Sequence, residues 1–145
     1  MANSFRKTAL MQTITSLEAV SSLRSIHLRP VSFEFVNEFP VALVGVGQDE
    51  RADYVNIGPG IDKEIIGVIE MDLITNQAHE EELIYDLLDL VDEVEVQIET
   101  DVATFRGLTP AVYINSPVHL DEDPIIDMER ELTAVRCRFT YHNGL

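Results

Sequence analysis

The chain has 145 residues, of which 46% are hydrophobic, and 26 acidic against 10 basic residues give it a formal charge of −16. This length suits one compact domain with its own core, so we predict a single domain over residues 1–145. The charge argues against a protein that wraps DNA or lies on an anionic membrane, because both surfaces would repel it. No apolar run approaches the roughly 20 residues that a membrane helix needs.

The first half of the chain predicts one helix followed by strands. Apolar residues spaced by three and four predict an amphipathic helix over residues 5–24, with Ser and Thr on its other side: Leu10, Ile14, Leu17, Val20 and Leu23. Ser25–Leu28 is predicted as a short strand that ends at Arg29-Pro30, and VALVGVG at 41–47 as another.

A hairpin is predicted next. Gln48–Asp62, which contains Gly58, Pro59 and Gly60, is predicted to be a long hairpin loop. The return strand, Glu64–Thr75, alternates, so Glu70 and Asp72 share one face, opposite an apolar face formed by Ile65, Ile69, Met71 and Leu73.

A second helix follows, with Asn76 as its cap and Glu80, Glu81 and Glu82 in its first turn. Its predicted core stripe is Ile84, Leu87, Leu88, Val91 and Val94, and the pattern indicates a change to extended chain near Val96. An acidic stripe lies opposite the core, with spacings of four, three and four: Glu82, Asp86, Asp89 and Glu93. Between Glu64 and Phe105 there are thirteen acids and no lysine or arginine, so this face repels itself unless a partner neutralises it.

The last part predicts two more strands. Ala111–Leu120 is predicted as an edge strand interrupted by Pro117, followed by an acidic loop at Asp121–Asp127. The final strand, Met128–His142, places Arg130, Arg136 and Arg138 on one face. The order α-β-β-α-β-β predicts an α+β fold, a small antiparallel sheet of about four strands with two helices on one face.

The candidate catalytic and metal motifs have better structural explanations. Asp121, Glu122, Asp123 and Asp127 lack the spacing and glycine of a calcium loop, so a solvated loop is favoured. The sequence that begins at His79 has Leu83 where a zinc helix needs its second histidine. Cys137 is in register with Val135 and Phe139, which predicts a buried, inert thiol. We therefore predict no catalytic, metal or cofactor residues and no cofactor.

The arginine face of the last strand has two interpretations. Arg136 and Arg138 either pair across the sheet with Glu70 and Asp72, or bind the acids of another subunit. Contact with DNA phosphate is a weaker third option, because three arginines cannot outweigh a net charge of −16 at long range.

The segments together resemble the tail terminator proteins of long-tailed bacteriophages and archaeal tailed viruses, including the minor tail protein U type. The resemblance spans nearly the whole chain, from the helix near Leu10 to Tyr141. Its segments are Phe39-Pro40 before VALVGVG, the strands around GPG, EELIYDLLDLVDEV, AVYINSPVHLDED and ELTAVRCRFTYH. Head-completion and tail-completion proteins of the neck share much of this pattern and are the alternative, together with a non-viral acidic oligomeric binding domain.

The resemblance implies a non-enzymatic virion protein that is synthesised in the host cytoplasm and forms a ring of six copies. Such a ring caps the tail tube, ends its polymerisation and joins the tube to the head connector, while DNA passes through without sequence-specific binding. We predict that two sets of residues carry these contacts. The subunit interface is assigned to Glu82, Asp86, Asp89, Glu93, Arg130, Arg136 and Arg138. The loop that contacts the tail tube is assigned to Asp53, Tyr54, Asn56, Gly58 and Gly60.

Overall fold

A computed structural model of the protein describes residues 4–29, 36–58, 60–76 and 82–145. These ranges contain three helices and eight strands. In chain order they are α1 Phe5–Glu18, β1 Ser25–Leu28, β2 Val41–Val46, β3 Arg51–Ile57, β4 Gly60–Thr75, α2 Glu82–Thr100, α3 Val102–Arg106, β5 Tyr113–Ile114, β6 His119–Leu120, β7 Ile125–Asp127 and β8 Leu132–His142. Of the helices in these ranges, none is long and apolar enough to cross a membrane.

The described strands form one mixed sheet. Its main path is β1-β2-β4-β8-β5, with β3 beside β4, and with β6 and β7 beside β8. β1 pairs with β2 in parallel, and the other pairs are antiparallel. The prediction of a four-stranded antiparallel sheet with two helices is therefore wrong. The predicted edge strand Ala111–Leu120 is present as two strands of two residues each, β5 and β6, on either side of Pro117. The strands that were not predicted are β3 and β7, and the three residues of β7 are too few for an alternating pattern to show in the sequence.

The main core lies between one face of the sheet and the helices. β4 and β8 contribute alternate side chains to it, and Phe105 of α3 meets Phe139 edge to face at 6.1 Å between ring centroids. The buried residues of this core include Ile69, Met71, Leu73, Leu87, Leu90, Val94, Ile98, Val135, Cys137, Phe139 and Tyr141. We call this side of the sheet the helix face and the other side the open face.

The first helix is shorter than predicted, and its buried side is wider than the predicted stripe, all of whose residues are buried in or packed against the core. α1 ends at Glu18, so Val20 and Leu23 reach the core from beyond the helix. Thr13 and Ser16, which the sequence placed on the outer side, are buried. The Thr13 hydroxyl donates to the Ala9 carbonyl oxygen at 2.7 Å, which satisfies it within the helix. Small residues on this side let the helix approach the core closely.

The second helix is longer than the predicted core stripe. α2 continues to Thr100 and buries Leu87, Leu90, Val91, Val94 and Ile98. The change to extended chain near Val96 does not occur, because Leu90, Val94 and Ile98 maintain the helical spacing while Val96 is 61% exposed. Residues 77–81, with the predicted first turn and the motif at His79, lie outside the described residues.

The segment predicted as a long loop is mostly β structure. Arg51–Ile57 pairs residue by residue with Gly60–Ile66, and the return strand begins at Gly60 rather than Glu64. In the described chain β8 reaches only as far as Ile66 of β4, so residues 51–58 and 60–65 form a two-stranded ribbon beyond the rest of the sheet. We call this ribbon the arm. Neither face of the arm is hydrophobic along its length, so the sequence shows no alternation of apolar and polar residues here. The sequence therefore did not predict these strands.

The thiol of Cys137 is buried, as predicted. Burial raises its pKa to about 12, and the nearby Asp72 carboxylate adds to the shift. We expect thiol reagents at neutral pH to label the native protein at the rate of global unfolding, and the urea-unfolded protein at once. The thiol of the unfolded chain ionises at its ordinary pKa of 9.0, whereas the buried thiol stays protonated up to about 12. The free energy of unfolding is therefore at its full value below pH 9.0 and falls as the pH rises from 9.0 toward about 12. Rapid labelling without denaturant would contradict this burial.

Candidate functional site

The open face of the sheet carries a network of ion pairs. Glu70 and Asp72 of β4 point away from the helices and lie opposite Arg138 and Arg136 of β8. Arg136 Nε donates to Asp72 Oδ1 at 2.6 Å, and its second nitrogen donates to Oδ2 at 3.2 Å. This hydrogen bond to Asp72 raises the pKa of Arg136 above its ordinary value. On the other side, Arg29 lies 3.5 Å from Glu70 and 3.6 Å from Asp72.

The network continues to the acidic loop and to Glu50 at the base of the arm. Arg136 lies 3.3 Å from Glu122, while Arg138 lies 3.5 Å from both Asp121 and Glu50. The pairing of Arg136 across the sheet with Asp72 and Glu70 is thus confirmed, and Arg138 pairs instead with acids on either side of its strand. Three arginines meet five carboxylates here, so the open face keeps a negative balance.

Because they are partly buried, these ion pairs contribute more to the stability of the fold than pairs on the surface do. The side chain of Asp72 is 16% exposed and that of Arg136 is 32% exposed. Removing one partner should therefore cost more than the 0–1 kcal/mol of an exposed pair and less than the roughly 3–5 kcal/mol of a fully buried one. The network mainly positions β4, β8 and the acidic loop relative to one another.

The arm has two chemically different faces. One face bears Arg51, Asp53, Asp62 and Glu64, and Arg51 pairs with Asp53 at 2.8 Å and with Glu64 at 3.5 Å. On the other face, which continues the helix face, Tyr54 lies directly opposite Lys63. The Lys63 ammonium lies 6.0 Å from the Tyr54 ring centroid, and the Tyr54 side chain is 74% exposed. This face carries no acid between Ala52 and Ile65, which is unusual in a chain of charge −16.

The base of the arm is held from several sides. Arg6 of α1 donates two hydrogen bonds to Asp49, at 3.1 and 2.5 Å, and Glu50 faces Arg138. The Asn143 side chain accepts from the backbone of Ile65 and donates to the carbonyl oxygen of Lys63. These contacts fix the direction in which the arm leaves the sheet.

The acidic face of α2 borders a groove. Glu82, Asp86, Asp89 and Glu93 are exposed, and in the described chain they form no ion pair with a lysine or arginine. The last three carboxylates line a groove of about 320 Å³ with Leu83, Leu87 and Leu90, opposite a wall formed by Ser22, Pro40 and Thr75. The Ser22 hydroxyl donates to Glu93 at 3.0 Å. The groove therefore combines an apolar floor with a rim of three negative charges.

The residues predicted for the subunit interface lie in three places. The four acids are on α2, on the helix face, whereas Arg136 and Arg138 are on the open face and already contact acids of their own chain. Arg130 is 68% exposed beside Asp127, at 3.8 Å. One chain does not bring the acids and the arginines together, and their joint role between subunits stays a prediction.

The five residues predicted to contact the tail tube all belong to the arm or its tip. Asp53, Tyr54 and Asn56 are on β3, Gly58 lies in the turn, and Gly60 is the first residue of β4. All five are exposed, and Gly58 has φ 56°, a value that suits glycine. Their contact with a tube protein stays a prediction.

Sequence reasoning missed Lys63, Glu50 and Arg29. Counting back from a two-residue turn at Gly58 and Pro59 places Tyr54 opposite Lys63, so the arm pairing was available from turn chemistry. Glu50 and Arg29 had no comparable signal, because each lies just outside a strand and meets its partner through the tertiary fold. No protein-family model matches the chain, and no curated protein does either.

Proposed function

We propose that this protein is a structural virion component of the head–tail junction that acts as a tail terminator. Copies of the chain form a ring that caps the tail tube, ends its polymerisation and joins it to the head connector. The ring leaves a path for DNA, and the negative charge of the chain favours passage without binding. The location is the virion, at the junction of head and tail.

The observation that carries this proposal is the arm. A two-stranded ribbon is marginally stable alone in water, yet this one extends beyond the sheet with exposed side chains on both faces. Its direction is fixed by the Arg6–Asp49 pair and by Asn143. A rigidly mounted, exposed ribbon suits a protein whose work is contact with other proteins, and its tip suits the tail tube.

The acids of α2, which form no ion pair with a lysine or arginine among the described residues, support assembly of several copies. Like charges three and four residues apart destabilise a helix by roughly 0.2–0.5 kcal/mol per pair, and a facing subunit with the opposite charge would remove this cost. A head-to-tail contact between two different faces closes into a ring when the rotation between copies permits it. A neck protein of the head-completion type would use the same features, and differs in the partner that the arm meets.

The function is tested in the virus that encodes the chain, by deleting its gene and imaging the particles. We expect tails of uncontrolled length that are separate from filled heads, and restoration of uniform, joined tails when the gene is supplied in trans. Uniform tails without heads would indicate the neck protein instead. Normal virions would contradict both.

A further inference from the structure

We propose that in the assembled ring the Tyr54–Lys63 pair of one copy docks into the groove beside α2 of the next copy. The proposal rests on the ring of the proposed function and assigns the contact that holds it together. Its partner is a second copy of this chain, because the same molecule carries both a cationic aromatic pair and an anionic apolar groove.

The two surfaces are complementary in charge. Lys63 is one of only two lysines in the sequence, and in the described chain it has no ion-pair partner, since Arg51 occupies Asp53 and Glu64 on the other face of the arm. Asp86, Asp89 and Glu93 supply three carboxylates without a cationic partner among the described residues. An ammonium placed among them would replace repulsion by attraction.

The two surfaces are also complementary in shape and polarity. The groove measures about 320 Å³ and has Leu83, Leu87 and Leu90 at its floor, which suits an aromatic ring. The Tyr54 ring is 74% exposed and carries a hydroxyl that can donate to a rim carboxylate. Aromatic residues that fill well-packed pockets carry much of the binding energy of many interfaces.

The arm is long enough for this contact. The seven residues of β3 at about 3.4 Å each carry the tip of the arm roughly 20 Å from Arg51, and they carry Tyr54, three residues along the strand, roughly 10 Å. A domain of this size has a radius of gyration of about 15 Å. The arm can therefore cross the boundary to a neighbour and lay its side along α2, while the tip at Gly58 stays free for the tail tube.

Carbodiimide cross-linking tests the contact, because it joins a lysine amine to a carboxylate without a spacer. Copies with light and heavy nitrogen are mixed, assembled and cross-linked, and the peptides are identified by mass spectrometry. We expect mixed-isotope links from Lys63 to Asp86, Asp89 or Glu93. A ring that assembles without such links would overturn this contact and leave the proposed function standing. A protein that stays monomeric at about millimolar concentration would contradict the contact and the ring together.

Substitutions at Lys63 add a matched control. Lys63→Glu should lower the oligomer fraction at least tenfold, whereas Lys63→Arg keeps the charge and should assemble normally but lose the cross-link. Equal assembly of Lys63→Glu and the parent chain would overturn the contact. If the cross-links and rings form normally but deletion of the gene leaves the virions intact, the proposed function alone is refuted.

Discussion

A variant with a shortened arm should fold as well as the parent chain and fail to assemble. In this variant residues 54–63 are replaced by Asn-Gly, so that Asp53 and Glu64 keep the spacing to the turn that Ile57 and Gly60 have now. The removed residues pair with one another, and none belongs to the main core. We expect the free energy of unfolding to change by less than about 1 kcal/mol, measured by urea titration. We expect the molar mass from light scattering to fall to that of the monomer.

A control variant keeps the arm and changes its other face. Val55→Thr with Asp62→Asn alters a directly opposed pair and preserves the length of the arm together with Tyr54 and Lys63. This control should assemble like the parent chain. Oligomers that form normally without residues 54–63 would refute a role of the arm in assembly, and loss of the folded state would refute its independence from the core.

Reversing two acids on α2 should have opposite effects on the subunit and on the ring. Asp86→Lys with Glu93→Lys makes the charges of residues 82, 86, 89 and 93 alternate, which turns three repulsive pairs into attractive ones. Each pair loses roughly 0.2–0.5 kcal/mol of repulsion and gains as much attraction, so the isolated subunit should gain about 1–3 kcal/mol of stability, less the contribution of the exposed Ser22–Glu93 hydrogen bond. The groove loses two of its three carboxylates, so the ring should not form, as light scattering would show.

The control for this reversal carries the same change of charge elsewhere on the helix. Asp92 and Glu99 are exposed residues of α2 that do not line the groove. In Asp92→Lys with Glu99→Lys, the charges of residues 92, 95 and 99 alternate. This variant should gain similar stability and still assemble. If both double variants assemble, the acidic stripe only faces solvent. If neither does, the total charge rather than the groove governs assembly.

The sequence predicted the parts of the fold that long periodic segments determine. The alternation of β4 and β8 predicted the core face, since each strand spans ten or more residues. It gave the pairing of acids and arginines across the sheet as one of two interpretations. The stripe from Leu87 to Val94 likewise predicted α2. These patterns are strong because the same face is buried along the whole element.

The sequence did not predict what depends on neighbouring strands. β7, in the segment predicted as an acidic loop, is a strand because the long edge of β8 offers it backbone partners, and the same edge pairs separately with β5 and β6, the two halves of the predicted strand Ala111–Leu120. The parallel pairing of β1 follows from tertiary contact, as does the burial of Thr13 and Ser16 beneath α1. At the candidate site, exposure and charge of α2 were predicted, but the groove was not, because its opposite wall comes from Ser22, Pro40 and Thr75.

Native mass spectrometry of the purified chain tests the central claim most directly, which is that copies join head to tail into a closed ring. A ring of six has a mass of about 98 kDa, six times the 16.3 kDa of one chain. We predict this species as the largest discrete one at high protein concentration, with its fraction falling as salt screens the contact. A dimer as the end point would contradict the claim, because a two-fold dimer joins identical faces and leaves none free for a third copy.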